Sequence, residues 1–503
     1  MAIKDDQSIR DHWRCFLACG LIILSPFQYG IDFGLIGGLQ AMPGFLKVYG
    51  HEDPGSVIGW NISPVRQQLI TSLMSLGAFM SSGTAGFVAI KLGRKTCLYL
   101  AIVGCFVSNI IMMATTDINA LYVGRLINGF ANGYFMVFAQ LWLQESSPAK
   151  YRGLFLSVFQ FSTSFGTLIG TIVDYSTSSR PDRSSYLIPL GIIYVVPVLL
   201  GTGLLFIPES PRWLILQGRV EEGHKALHWL RPDGTRVEVE LEEIKDAIAR
   251  EREMGSSVGV VDMFKNPVDR RRTFLSIFGV TTQAASGSMF VISYKAYFFT
   301  MARVPNPFAM SCVFSTVGLM ALVANSLIIV RYGRRRVLLM SGLITCGILQ
   351  LIIAIVYDQN PGTTQTGKVI IGLSTMYISS YNAMIAPYAW VSGGELPSQR
   401  LRSYTFGAAS AVAFLAAWLV TFTAPYFINV DSLNWGPRYG YIWFPSCMVT
   451  AIWVYFFLPE VKGRTLEEID EMFEAKLGAR KFRGYQCVRR VEVEKPDVKH
   501  EEL

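Results

Sequence analysis

Charged residues are scarce in this chain. Of its 503 residues only 16% are Asp, Glu, Lys or Arg and five are His, while 51% are hydrophobic and 13% aromatic. A water-soluble chain carries roughly 25% charged residues, because its surface must be wetted. The shortfall, with a mean hydropathy of +0.35, excludes a disordered protein and argues against a large cytosolic enzyme. The net charge of +8 is spread between apolar runs and forms no stripe, so nucleic acid is not an expected partner. Eight cysteines, five of them inside apolar runs (Cys97, Cys105, Cys312, Cys346, Cys447), make no Cys-x-x-Cys pair and no secreted disulfide framework. Metal clusters, Gly-rich phosphate loops and nucleophile triads at plausible sites are absent from the sequence as well. Neither an enzyme nor a metal or cofactor is expected.

What abounds is apolar run. A bilayer core about 30 Å thick needs about 20 mostly apolar residues per spanning helix. Such stretches fall at roughly 15–38, 67–90, 96–116, 120–143, 153–174 and 186–207, then at 272–300, 308–331, 337–357, 369–393, 403–427 and 440–458. Twelve spans put both termini on one side. The short loops around Lys91–Lys95, Lys150–Arg152, Arg331–Arg336 and Arg400–Arg402 hold eleven Lys/Arg, whereas the opposite loops balance both signs. Positive loops face the cytosol, so both termini are expected there. The N-terminus is polar through Arg14 and no small-residue cleavage site follows, so the first span is the expected insertion signal.

The predicted organisation is all-α. A cytosolic N-terminus (1–14) precedes a six-helix half (15–207), a cytosolic helical linker (208–271), a second six-helix half (272–458) and a cytosolic tail (459–503). In the linker Leu241, Ile244 and Ile248 recur at helical spacing among charges. The halves repeat: Gly93-Arg94-Lys95 returns as Gly333-Arg334-Arg335, Glu145…Arg152 as Glu395…Arg402, and Pro208-Glu209 as Pro459-Glu460. Parallel repeats of this kind are a transporter architecture with a substrate site between the halves.

The same residues carry a family resemblance. Tyr29-Gly30-Ile31-Asp32-Phe33-Gly34-Leu35-Ile36-Gly37-Gly38, Gly124-Arg125 with Gly129 and Gly133, Glu145-Ser146-Ser147-Pro148 before Arg152-Gly153, Pro208-Glu209-Ser210-Pro211-Arg212-Trp213 and Pro459-Glu460-Val461-Lys462-Gly463-Arg464 resemble the motifs of the sugar porter family of the major facilitator superfamily. The general tone is similar to its fungal branch, including hexose and α-glucoside permeases. The resemblance implies a multi-pass transporter, most naturally of the plasma membrane and monomeric among lipid, that rocks between outward- and inward-open states. Its partners would be a sugar or sugar-like small molecule and protons.

Asp32 lies inside the first span, where an ionisable residue costs about 2.5–3.5 kcal/mol on insertion scales and needs a reason. The resemblance supplies one: proton coupling through Asp32 and Arg125, against a static ion pair joining two helices. It also implies that Gln160, Gln283, Tyr294 and Trp390 touch the substrate. Two departures stand out. Met289 occupies the place of a seventh-helix Asn, and Ala413-Phe414 that of an eleventh-helix Asn-Trp, so the pocket should be more apolar than a hexose site. Ile90 and Val330 replace an acidic residue before each Gly-Arg loop. Arg94, Glu145, Arg152 and Glu209, with Arg334, Glu395, Arg402 and Glu460, should form the cytosolic gate. Lys295 has three readings: a long amine snorkelling to the outer water, a vestibule residue favouring an anionic substrate, or a salt bridge to an acidic residue such as Asp32. Asn61-Ile62-Ser63 is a glycosylation sequon in the first outer loop.

The leading expectation is a proton-driven transporter of a sugar or sugar-like molecule. An exporter of a fungal secondary metabolite competes, favoured by Met289 and Ala413-Phe414. A nutrient sensor is a third reading; sensors usually carry a long cytosolic tail, and about 40 residues follow Gly463 here.

Overall fold

The computed structural model describes residues 12–54, 59–148, 151–231, 234–253, 260–329, 334–398, 401–462, 464 and 466–485. Among them the chain makes twelve helical traverses. The first six are Trp13–Ile22 with Leu24–Leu39, Pro64–Leu92, Arg94–Ala114, Ile118–Ser146, Arg152–Thr177, and Ser184–Ile192 with Val195–Leu204. The second six are Pro267–Ala285 with Ser288–Ser293 and Lys295–Met301, Pro307–Ala324 with a π-turn Asn325–Ile329, Arg335–Gln359, Thr364–Met384 with Ala386–Glu395, Arg402–Ile428, and Gly440–Phe457. Eight of these runs among the described residues are long and apolar enough to cross a membrane by length and composition. The second, fourth, fifth and seventh traverses are more polar, and they hold much of the buried polar side chain, such as Gln67, Gln68, Arg125, Asn128, Asn132, Asp174 and Gln283. Polar groups at membrane depth face the bundle interior, where protein partners replace water.

Local chemistry starts these helices. Ser63 accepts from Arg66 N ahead of Pro64, Asn266 from Val268 N ahead of Pro267, and Asn306 from Ala309 N ahead of Pro307. A short polar cap followed by Pro at the first helical position satisfies an orphan N–H and presets φ. Small residues let the first and fifth traverses touch: a Cβ on Gly30 would sit 2.1 Å from the carbonyl oxygen of Thr163. Each half has its own apolar core, one around Phe135, Phe138 and Trp142, the other around Phe290, Phe299 and Tyr377.

The two ends of the bundle differ. At one, strands His51–Glu52 and Trp60–Asn61 pair antiparallel, with His51 opposite Asn61. At the other lie the linker helices Val220–Leu230 and Gly234–Glu253, whose Leu227, Leu241 and Ile248 pack together. Arg231 ties them to the bundle, donating to both carboxylate oxygens of Glu240 and to Ser146 O. These are the hairpin end and the linker end below.

Candidate functional site

A cavity lies between the halves. The fifth traverse contributes Gln160, Thr163, Ser164 and Thr167, and the seventh Gln283, Met289 and Lys295. Trp390 of the tenth, in edge contact with Phe406 at 6.0 Å, forms part of the wall. Ala413 and Phe414 line it too, so Met289 and Ala413 stand where the resemblance implies amides and Phe414 where it implies a Trp. Gln283 Oε1 accepts from Tyr381 OH at 3.0 Å, and its buried Nε2 has no hydrogen-bond partner. Tyr29 and Asn382, which sequence reading passed over, complete a polar arc beside the aromatic faces of Phe33 and Trp390. Such a surface suits a molecule with hydroxyls on its rim and an apolar face.

The seventh traverse explains where its side chains point. It breaks at Gly287, whose φ of 81° belongs to the left-handed region and whose missing Cβ would lie 2.6 Å from the Trp443 ring. It breaks again at Tyr294. These rotations turn Tyr294 away from the cavity: it is fully buried and donates to Thr421 O at 2.7 Å. It braces the eleventh traverse instead of lining the pocket, which corrects its assignment as a contact residue. The next residue, Lys295, turns inward. It is 1% exposed, with Nζ donating to Thr171 Oγ1 and Ser315 Oγ. No snorkel to outer water exists.

Asp32 does not line the cavity; Tyr29 and Phe33, on the adjoining face of its helix, do. It is 1% exposed, and Oδ2 accepts from both Asn128 Nδ2 and Asn132 Nδ2 at 2.6 Å. Arg125 stands further off, Nη1 3.7 Å from Oδ1, while its Nε donates to Ile70 O and its Nη2 to Met74 Sδ. The carboxylate is thus held by two amides, with the guanidinium as a looser neighbour. Asn128 and Asn132 were missed, although Arg125, Asn128 and Asn132 recur at i, i+3 and i+7 on one helix face.

Charges gather at the linker end. Arg94 Nη2 donates to Glu145 Oε1 at 2.7 Å, and Ser210 Oγ to Glu145 Oε2 at 2.5 Å. Glu209 accepts from the backbone N–H of Lys95 and Ser210, and burial pushes its carboxyl above the ordinary range. In the second half Arg335, not Arg334, pairs with Glu395, and Glu460 accepts from the backbone N–H of Arg336 and Lys462. Arg334 is an exposed residue in extended conformation just before the helix begins. The repeat is therefore displaced by one residue in three dimensions. Arg402 opens the eleventh traverse; the side chains of Arg152 and Ile90, and all of Val330, lie outside the described residues.

At the hairpin end the halves are joined. Asn429 Nδ2 donates to Gln67 Oε1 and Ile62 O, and Asn61 Nδ2 to Asp431 Oδ2. Asn61 is 4% exposed and that nitrogen is occupied, so a glycan has no room there in this state.

The model of the "Sugar (and other) transporter" family matches residues 18–473. The chain belongs to that family. Among relatives of this sugar-transporter-family member, the Saccharomyces cerevisiae "High glucose sensor RGT2" is 32% identical over 90% of the chain, which spans 60% of that sensor's length. The "Major facilitator-type transporter ecdD" of Aspergillus rugulosus is 27% identical, covering 92% of the chain and 87% of the relative. "Low-affinity glucose transporter HXT3" of Saccharomyces cerevisiae is 28% identical over 91% and 82%. A solved structure of the proton:xylose symporter XylE bound to 6-bromo-6-deoxy-D-glucose has the same fold, with a TM-score of 0.74 at 21% identity, over 92% of this chain and 99% of that one. The protein is a multi-pass membrane transporter of the major facilitator fold, not an enzyme.

Proposed function

We propose that this family member moves a sugar or sugar-like small molecule by alternating access, driven by protons. The observation that carries the reading is the cavity between the halves, with the free Gln283 amide, Gln160 and Asn382 set against Trp390 and Phe33. Asp32 and Arg125 are the coupling pair, Asp32 lying next to cavity-lining Phe33 and one helical turn from Tyr29. In this reading the linker end faces the cytosol with both termini, as the positive loops require. The hairpin end faces outward, closed here by Asn429 and Asn61, and the Arg94–Glu145 and Arg335–Glu395 pairs re-form cross-half contacts when it opens. The plasma membrane is the proposed location, and a monomer the working unit.

The names of the hexose relatives and of the xylose symporter support a sugar. Met289, Ala413 and Phe414 in the cavity wall favour a second reading: export of a less polar metabolite on the same fold. Uptake of a labelled panel of hexoses, pentoses, maltose and sugar acids into transport-null yeast decides between them. Saturable entry of a panel member supports import; entry of none, with the protein at the surface, points to the exporter.

A further inference from the structure

Lys295 is a buried cation that the coupling site does not use. Its ammonium has three donors and gives two of them to neutral hydroxyls, those of Thr171 at 2.5 Å and Ser315 at 3.1 Å. Thr171 itself donates to Thr167 O, so these hydroxyls form a chain with no negative member. Among the described residues that line the cavity, Lys295 carries the sole formal charge. Asp174 is near enough to feel that charge yet makes no ion pair with it. Its carboxylate is 1% exposed, packs against the backbone of Gly38 and does not line the cavity. Asp174 thus lies off the cavity and lowers the cost of burying the lysine, while Lys295 itself lines the empty space. A buried charge is retained at such a cost only when something pairs with it.

We infer that Lys295 is the anion-binding residue of the central cavity and that the transported molecule is a sugar acid, a polyol bearing one carboxylate. This rests on the transport reading above and names its substrate class. One cation matches one negative charge, so a carboxylate fits where a phosphate dianion would leave a charge unpaired. Gln160, Gln283 and Asn382 then meet the hydroxyls, as they would for a neutral sugar. The apolar replacements Met289 and Ala413 remove amides that a neutral sugar needs more than an anion held by charge does.

The test is uptake in transport-null yeast of labelled D-galacturonate and D-gluconate beside their neutral parents, D-galactose and D-glucose. The wild-type chain should favour each acid over its parent. Lys295→Met removes a charge-assisted hydrogen bond, and the ratio of acid to neutral-sugar half-saturation should move toward the neutral sugar by about 10- to 100-fold. Lys295→Arg should restore much of that ratio. A wild-type carrier that takes neutral sugars and ignores their acids overturns the assignment even if Lys295→Met fails to reach the surface. So does an unchanged ratio in Lys295→Met. Either result leaves transport standing; a wild-type chain at the surface that moves none of the four overturns this inference, and the import reading falls with it only if the pentoses and maltose of the wider panel also fail to enter.

Discussion

Asp32 is held by two amide donors at 2.6 Å, and Arg125 approaches only to 3.7 Å. Protonating such a carboxylate removes its charge and weakens both amide hydrogen bonds, loosening the hold of Asn128 and Asn132 on the first traverse. That is how one proton can be felt at Phe33 beside it and at Tyr29 one helical turn away. Asn132→Leu should therefore weaken coupling without emptying the cavity of its contacts. A charge-assisted hydrogen bond contributes about 1.5–3 kcal/mol, so the external pH giving half-maximal uptake should shift measurably, while substrate competition should change little. Gln283→Ala tests the cavity itself. Losing an amide that a buried hydroxyl needs costs about 1–3 kcal/mol, roughly 5- to 150-fold in half-saturation. Unchanged half-saturation would show Gln283 to be a brace for Tyr381. At this scale Asp32 was legible because a carboxylate is costly inside an apolar run, and Arg125, Gln160 and Trp390 through the resemblance of the motifs that hold them. Asn128 and Asn132 were hidden among the glycines of the same motif, and the burial of Asn61 depends on Asp431, 370 residues away.

Helices decide which of those side chains meet. The spans were readable because hydropathy follows from the solvent they cross, but their breaks were not. The two interruptions of the seventh traverse, at Gly287 and Tyr294, rotate everything beyond them, so the position matched by resemblance does not bring Tyr294 into the pocket, and the rise of an unbroken helix left Lys295 ambiguous. Gly287→Ala would need a non-glycine residue at φ 81° with the Trp443 ring 2.6 Å from its Cβ. The strain alone costs on the order of 1–2 kcal/mol. The expected result is a lower melting temperature in detergent and reduced surface level. The run Arg334-Arg335-Arg336 posed a related problem, since three identical residues cannot announce which one starts a helix. The helix begins at Arg335, and that residue meets Glu395. Transport rate should fall for Arg335→Ala and stay near wild type for Arg334→Ala; the reverse order would return the repeat to the register of the sequence alone.

As a whole the molecule is caught with its halves joined at the hairpin end through Asn429, Gln67, Asn61 and Asp431. These few neutral and singly charged hydrogen bonds are weak enough to break in each cycle, at about 0.5–1.5 kcal/mol apiece for the neutral ones. Asn429→Ala should shift the population toward the state open at that end, and a cysteine placed beside Gln67 should react faster with a membrane-impermeant thiol reagent. An unchanged rate would mean that apolar helix packing, not this latch, sets the balance. The two-half architecture was legible from three recurring motifs, whereas the closing contacts join residues that only the assembled fold brings together.

The central claim is that a proton gradient drives substrate across this fold through Asp32. The most direct measurement is made in proteoliposomes of the purified full chain, with the membrane potential clamped at zero and the outside one pH unit more acid. One proton per substrate then supplies about 1.4 kcal/mol, enough for roughly tenfold accumulation whatever the substrate's charge. The labelled panel member that yeast takes up fastest should concentrate toward that limit and leak back on addition of a protonophore. Asp32→Asn should only equilibrate it while still exchanging labelled for unlabelled substrate. Wild-type protein that merely equilibrates its substrate, or an Asp32→Asn protein that accumulates it as well as wild type, would contradict the account.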